Sequence, residues 1–252
     1  MVKAYANGTK SPVTLNVWEK TVEKPLVPRD DGPPQTVDAL VRNRAQAFTH
    51  QTIVSYPSSG IGYVDYTMQQ LDVFAYRVAC HYQDRLPVRS SSSEKPKVIA
   101  MLGPSNLEYL VTMLALIKLG HTILFLSTRI SQEAVESLMR TTHAETLLID
   151  GRHEDTASGV KGLLCSINVF EIAPRATFEF PIETHADTRL DGSLDHGIET
   201  SNIVYIIHSS GTFTWHGLES NILMGMKVQL GFLNQFTKLI RLRWQTTRSI
   251  WT

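Results

Sequence analysis

The sequence predicts an α/β fold in which a parallel sheet is flanked by helices. Short apolar runs alternate with amphipathic segments between residues 98 and 150, and this order favours parallel strand pairing. Hydrophobic residues make up 42% of the 252 positions and charged residues 19%, which excludes a disordered composition. A chain of this length buries a core without needing disulfides.

The composition also argues against several classes of function. Basic and acidic residues number 24 each, so no net charge draws the chain to nucleic acid or to an anionic membrane. Cys80 and Cys165 offer neither a disulfide framework nor metal-ligand spacing, and we expect two buried thiols in a reducing compartment. No apolar run follows Lys3, so we expect no signal peptide and a cytoplasmic protein. Lys118 interrupts the apolar stretch 109–126, which argues against a transmembrane segment.

Prolines and helix-capping residues predict the elements in the first part of the chain. Residues 1–35 hold five of the eleven prolines and predict a lead-in without regular structure. Thr36 is expected to cap a helix with apolar positions at 3.6-residue spacing. Residues 52–56 and 62–66 predict a hairpin, and Thr67 is expected to begin a second helix.

The central part of the chain predicts the parallel sheet. Its five candidate strands are residues 98–102, 122–126, 146–150, 162–172 and 203–207. A helix from about Asn106 to Leu119 is expected to end at Gly120, and Ser131 is expected to cap the next helix. The region from 173 to 200 is rich in charge and turn residues and predicts a loop.

The candidate ligand site is the polar segment that leaves the last strand. In an open parallel sheet, ligands bind at the carboxyl ends of the strands. Small hydroxyl residues and glycine suit such a place because backbone N–H groups can close around phosphate oxygens. The predicted phosphate-binding residues are Ser209, Ser210, Gly211 and Thr212. We predict no catalytic residue and no metal ligand, since none of the nine histidines has metal-site spacing.

Other named motifs fit this segment poorly. A Walker A loop requires lysine where Leu218 stands, and a nucleophile elbow centred on Ser209 requires glycine where Ile207 stands. The turn at residues 103–106 lacks the glycines of a dinucleotide fold and is interpreted as a helix start. His208 is the one histidine beside the candidate segment.

Three segments carry a family resemblance. Residues 64–71 read Val-Asp-Tyr-Thr-Met-Gln-Gln-Leu, residues 116–126 read Leu-Ile-Lys-Leu-Gly-His-Thr-Ile-Leu-Phe-Leu, and residues 203–212 read Ile-Val-Tyr-Ile-Ile-His-Ser-Ser-Gly-Thr. In this order they resemble L-T-Y-x-E-L, A-x-x-K-A-G-x-x-x-x-P and the first half of Y-x-x-x-T-S-G-[ST]-T-G-x-P-K in the adenylate-forming superfamily. That superfamily includes acyl-CoA synthetases, luciferases and adenylation domains of nonribosomal peptide synthetases. The resemblance covers residues 36–212, the N-terminal part only, and the wording of residues 206–211 is closest to fungal synthetase-like reductases.

The resemblance implies an ATP-dependent carboxylate-adenylating ligase. In such an enzyme a carboxylate attacks the α-phosphate of ATP, and a thiol then takes the acyl group from the acyl-adenylate. The implied cofactors are ATP and Mg²⁺, and the implied partners are a carboxylic-acid substrate and a thiol carrier in a phosphopantetheine-linked pathway. Ser209 to Thr212 would hold the β- and γ-phosphates.

The chain departs from the family pattern directly after Thr212. Residues 213–217 read Phe-Thr-Trp-His-Gly where the resemblance requires T-G-x-P-K, so the second glycine, the proline and the lysine are missing. The family's later motifs, which supply an acid for Mg²⁺, a ribose-binding aspartate and a C-terminal lysine, have no match here. We therefore expect a truncated ligase without activity, even though its family is enzymatic.

Residues 213–252 also differ in composition from the rest. They contain three of the four tryptophans, no proline, and a net charge of +4 from five basic residues and one acid. One hypothesis is an amphipathic basic helix at 221–243, which would serve a stand-alone nucleotide- or partner-binding module. The other is a change of reading frame or a splice junction near codon 212. We favour the second because the break falls inside a motif and not between elements.

Overall fold

The computed structural model describes most of residues 36–208 and one further short strand. The described ranges are 36–58, 61–86, 88–89, 91–182, 188–190, 194, 196–199, 201–208 and 223–226. The predicted lead-in at 1–35, and all but four residues of the predicted tail at 213–252, lie outside these ranges.

Helices and strands occur in the predicted order over most of the described chain. The helices are α1 (Val37–Ala47), α2 (Met68–Tyr82), α3 (Leu107–Lys118), α4 (Gln132–Thr142), α5 (Glu154–Leu163) and α6 (His196–Glu199). The strands are β1 (Thr52–Pro57), β2 (Tyr63–Thr67), β3 (Val98–Leu102), β4 (Thr122–Leu126), β5 (Thr146–Ile149), β6 (Asn168–Glu171), β7 (Tyr205–His208) and β8 (Leu223–Met226).

Side-chain caps set the starts of α1, α2, α3 and α4, as the sequence predicted. The hydroxyls of Thr36 and Ser131 accept hydrogen bonds from backbone N–H groups three residues later. Thr67 and Gln70 form a complete capping box at the start of α2. Asn106 caps α3 by accepting from the backbone N–H of Tyr109 at 2.9 Å. These starts are therefore determined locally.

Gly120 ends α3, which confirms the prediction for this residue. Its φ is +81°, a conformation that side chains disfavour. The Gly120 N–H donates to the Ile117 carbonyl and the His121 N–H to the Leu116 carbonyl, both at 3.0 Å. This pair of bonds is a Schellman motif, and it turns the chain directly into β4.

The main sheet has the strand order β6-β5-β3-β4-β7-β8. The first five of these strands run parallel, which confirms the predicted parallel sheet, and β8 pairs antiparallel with β7. β1 and β2 form a separate two-stranded antiparallel hairpin, also as predicted.

Helices cover both faces of the sheet. One layer contains α1, α2 and α3, which pack on the β3 face that carries Ile99 and Met101. The other contains α4 and α5, which pack on the face that carries Ala100 and Leu102. Burial on both faces explains why the central strands have continuous apolar sequences without alternation.

A buried ionic network joins the helices of the first layer. The Nζ atom of Lys118 lies 2.8 Å from a carboxylate oxygen of Asp38 on α1 and 2.6 Å from one of Asp72 on α2. Thr188 donates its hydroxyl to the other oxygen of Asp72 at 2.6 Å. The side chains of Lys118 and Asp72 are only 2% and 6% exposed, so these charges depend on one another.

Several predictions are wrong in detail. The segment predicted as a strand at 162–172 contains the end of α5 and then the shorter strand β6. The sequence contains little sign of α5, because this helix has no side-chain cap and buries only Ala157 and Val160. The strand predicted at 203–207 lies at 205–208. Within the helix hypothesised at 221–243, the four described residues form β8 instead.

The prediction of two buried thiols is also wrong. Cys165 is exposed, because it lies in the turn after α5, and Cys80 is half-buried on α2. Among the residues that the structure describes, no helix has the length and apolar character needed to cross a membrane.

Candidate functional site

The candidate site lies at the carboxyl edge of the parallel sheet. β3 leads into α3 in one layer, whereas its neighbours β4 and β5 lead into α4 and α5 in the other. Adjacent strands that exit to opposite faces leave a crevice at their carboxyl ends, and this is where ligands bind in open α/β sheets. The polar segments that reach this edge are Gly103–Asn106, Ser127–Arg129, Asp150–Arg152 and His208.

The predicted phosphate-binding residues Ser209, Ser210, Gly211 and Thr212 lie outside the described residues. The strand that leads to them is described. β7 lies beside β4 in parallel and ends at His208, so Ser209 follows directly from the carboxyl edge. The roles of the four residues stay predictions.

His208 is bonded to the neighbouring strand through its side chain. Its Nε2 atom accepts a hydrogen bond from the backbone N–H of Ser127 at 3.2 Å. Ser127 follows β4 directly, and its own hydroxyl accepts from the Arg129 N–H at 3.3 Å. The exits of β4 and β7 are thereby joined at the point where the candidate segment begins.

Asp150 and Arg152 form a polar pair at the exit of β5. The Oδ1 atom of Asp150 accepts from the Nε atom of Arg152 at 2.7 Å and from its backbone N–H at 3.2 Å. The hydrogen bonds from Arg152 hold the pKa of the Asp150 carboxyl below its usual range, although partial burial acts in the other direction. Asp150 is therefore an anion at neutral pH.

The turn after β3 is closely packed against this exit. A Cβ atom at Gly103 would lie 3.1 Å from the Ile172 side chain and 3.2 Å from Cβ of Asp150. A larger residue would displace these neighbours, so glycine allows the β3 exit to approach the β5 exit. The turn itself serves as the start of α3, as interpreted from the sequence.

A second polar group lies beside the first turn of α3. Glu108 accepts a hydrogen bond from the Nε atom of Arg175 at 2.8 Å, and Glu179 accepts one from the Tyr66 hydroxyl at 2.5 Å. Desolvation by burial raises the pKa of Tyr66 to about 12, helped by the bond to Glu179. Desolvation likewise raises the pKa of Tyr56 to about 12. Sequence reasoning missed this group, for which the acid in the first turn of a helix was the only local signal.

The Glu108–Arg175 and Tyr66–Glu179 hydrogen bonds join α3 and β2 to the segment at 175–179. Within the described ranges, no three His, Cys, Asp or Glu side chains are grouped so as to hold a metal ion. The hydroxyls and backbone N–H groups of the predicted segment Ser209–Thr212 are donors of a kind that suits phosphate oxygens.

Comparison with known families and curated proteins gave one clear match. A family model described as "AMP-binding enzyme" matches residues 41–213, well over half of the chain. No curated protein matches the chain.

Solved structures with a similar fold include acyl-CoA synthetases and acyl-adenylate ligases. The Brucella canis acyl-CoA synthetase has a TM-score of 0.57 and 20% identity, over 82% of this chain and 36% of its own. The anthranilate CoA ligase AuaEII, in complex with anthranoyl-AMP, has a TM-score of 0.56 and 16% identity, over 73% of this chain and 33% of its own. The fatty acyl-adenylate ligase from L. pneumophila, in complex with acyl adenylate and pyrophosphate, has a TM-score of 0.55 and 15% identity, over 81% of this chain and 32% of its own. The chain spans about a third of the length of these structures, and the likeness shows the fold.

Proposed function

Since the chain belongs to the AMP-binding enzyme family, we propose that it is part of an ATP-dependent ligase that adenylates a carboxylic acid. Two solved relatives support the reaction class, since one holds anthranoyl-AMP and the other an acyl adenylate with pyrophosphate. Both ligands join the carboxyl group of an acid to AMP. The proposed substrate class is therefore a carboxylic acid, and the proposed acceptor of the acyl group is the thiol of a carrier.

One observation supports the proposal: β7 ends at His208, at the carboxyl edge of a parallel sheet, and Ser209 is the next residue of the chain. This end point of β7 supports the proposal, and the roles of the four residues stay a prediction. A phosphate-binding role requires a segment that begins there, and a segment on the opposite edge would have excluded it.

The proposed role of Ser209 to Thr212 is to hold the β- and γ-phosphates of ATP. ATP, when bound, supplies an electrophilic α-phosphorus and a pyrophosphate leaving group. A carboxylate oxygen of the acid forms the new bond to the α-phosphorus, and the bond from that phosphorus to the bridging oxygen of pyrophosphate breaks. Hydroxyls and backbone N–H groups stabilise the charge that shifts to pyrophosphate. Within the described residues, no three His, Cys, Asp or Glu side chains are grouped so as to hold a metal ion.

We also propose that this chain by itself performs no complete adenylation. The family match ends at residue 213, and residues 213–217 differ from the loop pattern with its glycine, proline and lysine. The purified chain should give no ATP–pyrophosphate exchange above background with any acid tested. Exchange above background would contradict the proposed inactivity while supporting the reaction class.

Binding of MgATP tests the phosphate site separately from turnover. Gly211→Val and Thr212→Val should each weaken MgATP binding in calorimetric titrations of the full chain, because one blocks the backbone approach and the other removes a hydroxyl. Thr141→Val, an exposed change on α4, is the matched control and should leave binding unchanged. Equal affinities in all four proteins, or no binding by the unsubstituted chain, would show that the proposed site is wrong.

The segment after Thr212 remains open to two proposals. We propose that a change of reading frame or a splice junction near codon 212 produced residues 213–252, since the family match ends beside that codon. Translation of the downstream DNA in the other two frames should then reveal T-G-x-P-K within a few codons or just past an intron. The alternative is a stand-alone nucleotide- or partner-binding module that uses the basic tail. A tail deletion that leaves solubility and interactions unchanged would count against that alternative.

A further inference from the structure

β8 closes the outer edge of β7, which is the side of that strand that faces away from β4. It pairs antiparallel with the whole of β7, from Tyr205 opposite Met226 to His208 opposite Leu223. We propose that this edge is a surface to which a further β-strand binds, and that the tail (residues 213–252) keeps the chain from pairing with a second copy of itself by placing β8 there. This role of β8 does not depend on the proposed ATP site.

The ladder between β4 and β7 shows which backbone groups of β7 point to β8. The Ile123 N–H donates to the Val204 carbonyl at 2.9 Å, so the backbone polar groups of Val204 face β4. These groups point to opposite sides in successive residues of a strand, and those of Tyr205 and Ile207 therefore face the outer edge. Both residues have register partners in β8. Without β8, their N–H and carbonyl groups would form an open edge.

The sequence of β7 lacks the features by which proteins protect an open edge. Residues 203–207 read Ile-Val-Tyr-Ile-Ile, with no charge and no proline. The side chain of Ile207 is 41% exposed even with β8 in place. Uncharged segments rich in β-branched and aromatic residues pair readily with strands of other chains when their backbone is open. The outer edge of β7 therefore needs a covering strand.

The two strands that end the sheet offer less to another chain. In β6 the Glu171 carbonyl accepts a hydrogen bond from the Tyr82 hydroxyl at 2.6 Å, and the exposed Glu171 side chain adds a charge. β8 is four residues long and has Gly225 between Met224 and Met226. Short strands, charge and glycine each discourage further pairing. With β8 in place, only these two poorer edges remain among the described strands of the sheet.

The tail has an advantage over a second copy of the chain as the occupant of this edge. Residues 209–222 connect β7 directly to β8, so β8 is tethered near the edge. A tether of this kind gives an effective concentration of about 1 mM, which is about a hundredfold above that of a second copy in a solution of about 10 μM protein. Pairing within the chain therefore dominates, and pairing between chains requires that β8 be disabled.

The experiment compares Met224→Pro with Gly225→Pro in the full chain. Met224 is the register partner of Ile207, so its N–H faces β7, whereas the N–H of Gly225 faces away. Proline at 224 therefore removes a donor of the ladder. Proline at 225 is the matched control, because an edge strand tolerates proline where the N–H points to solvent.

Two quantities are measured: hydrogen exchange at the backbone amides of β7 in dilute protein, and molar mass by light scattering as the protein concentration rises. We expect the amides of Tyr205 and Ile207 to exchange about two- to tenfold faster in Met224→Pro, the equivalent of one hydrogen bond. The molar mass of this variant should rise with concentration, because its open edge pairs with that of a second copy. Gly225→Pro should match the unsubstituted chain in both quantities.

A further variant tests the surface itself. Met224→Pro combined with Ile207→Lys places a lysine on the open edge strand, which discourages pairing between chains. This variant should exchange as fast as Met224→Pro and yet stay monomeric. The amides of Ile206 and His208 are the internal control, because they face β4 and should change little in any variant.

Three results would overturn the inference. The first is unchanged exchange at Tyr205 and Ile207 in Met224→Pro, and the second is faster exchange there without self-association. The third is self-association of the lysine variant, or of the unsubstituted chain, to the extent seen in Met224→Pro. If Met224→Pro does not fold, the unsubstituted chain decides: Tyr205 and Ile207 amides protected as well as those that face β4 support the cover by β8, and exchange as fast as in an unstructured peptide overturns it.

Discussion

Replacement of Lys118 by methionine should be among the most destabilising single changes in the described part of the chain. The Nζ atom of Lys118 lies 2.8 Å from Asp38 and 2.6 Å from Asp72, and the Asp72 side chain is 6% exposed. Methionine preserves most of the length of the side chain and removes its charge. Asp38 keeps Arg42 at 2.9 Å, whereas Asp72 keeps the hydroxyl of Thr188 but loses its ion-pair partner.

The magnitude follows from this asymmetry. Removal of one partner from a buried ion pair costs about 3–5 kcal/mol, because the other charge stays buried without compensation. We expect the free energy of unfolding to fall by about 3 kcal/mol in Lys118→Met. Asp72→Asn should cost less, since Lys118 keeps Asp38. The double variant should be less destabilised than the sum of the two changes by about 0.5–3 kcal/mol.

Urea unfolding followed by far-ultraviolet circular dichroism measures these changes. With a slope of about 2 kcal/mol per molar urea, the midpoint should fall by about 1.5 M. Lys161→Met, an exposed lysine on α5, is the control and should change stability by less than about 0.5 kcal/mol. Equal stability of Lys118→Met and this control would refute the reasoning.

Three further changes test other parts of the fold. Thr67→Ala removes the capping box of α2 and should lower the free energy of unfolding by about 1 kcal/mol in urea titrations, whereas Thr67→Ser should retain most of it. Gly120→Ala combines a φ of +81° with a Cβ 3.0 Å from that of Arg89, so it should lower the thermal midpoint, corresponding to a cost of about 1–3 kcal/mol; an unchanged midpoint would contradict the strain. Burial acts to raise the pKa of Glu199, but hydrogen bonds from Arg89 and Asn202 prevail and lower it. A lowered pKa contributes stability above the ordinary glutamate value of 4.5 that is lost as pH falls through the folded-state value. Glu199→Gln should therefore flatten the acid side of the stability profile, and an unaltered profile would argue against the pair.

Elements with a local signal were predicted well from the sequence. Thr36, Thr67 and Ser131 each cap the helix assigned to them, because a capping hydroxyl and the N–H that it accepts lie three positions apart. α5 was missed because its first turn has no side-chain cap and its buried stripe consists of two small residues. Its end, followed by apolar residues, was consequently assigned to a strand.

Part of the candidate site could be predicted from the sequence, and part of it could not. The choice of Ser209–Thr212 came from residue types that suit phosphate and from the rule that ligands bind where parallel strands end. The bond between Ser127 and His208 could not be predicted, because it depends on β7 lying beside β4 and not beside the strand that precedes it in the chain. Sequence reasoning noted His208 only as a neighbour of the segment.

By itself, the sequence determined the order of most elements, the starts of most helices and the buried strands. All of these depend on residue periodicity or on contacts within a few positions. Tertiary structure alone decided which strands are neighbours, that Lys118 meets Asp38 across 80 positions, and that Ser127 meets His208 across 81. Such contacts arise from the packing of helices and strands against one another, and local propensity carries no record of the partner.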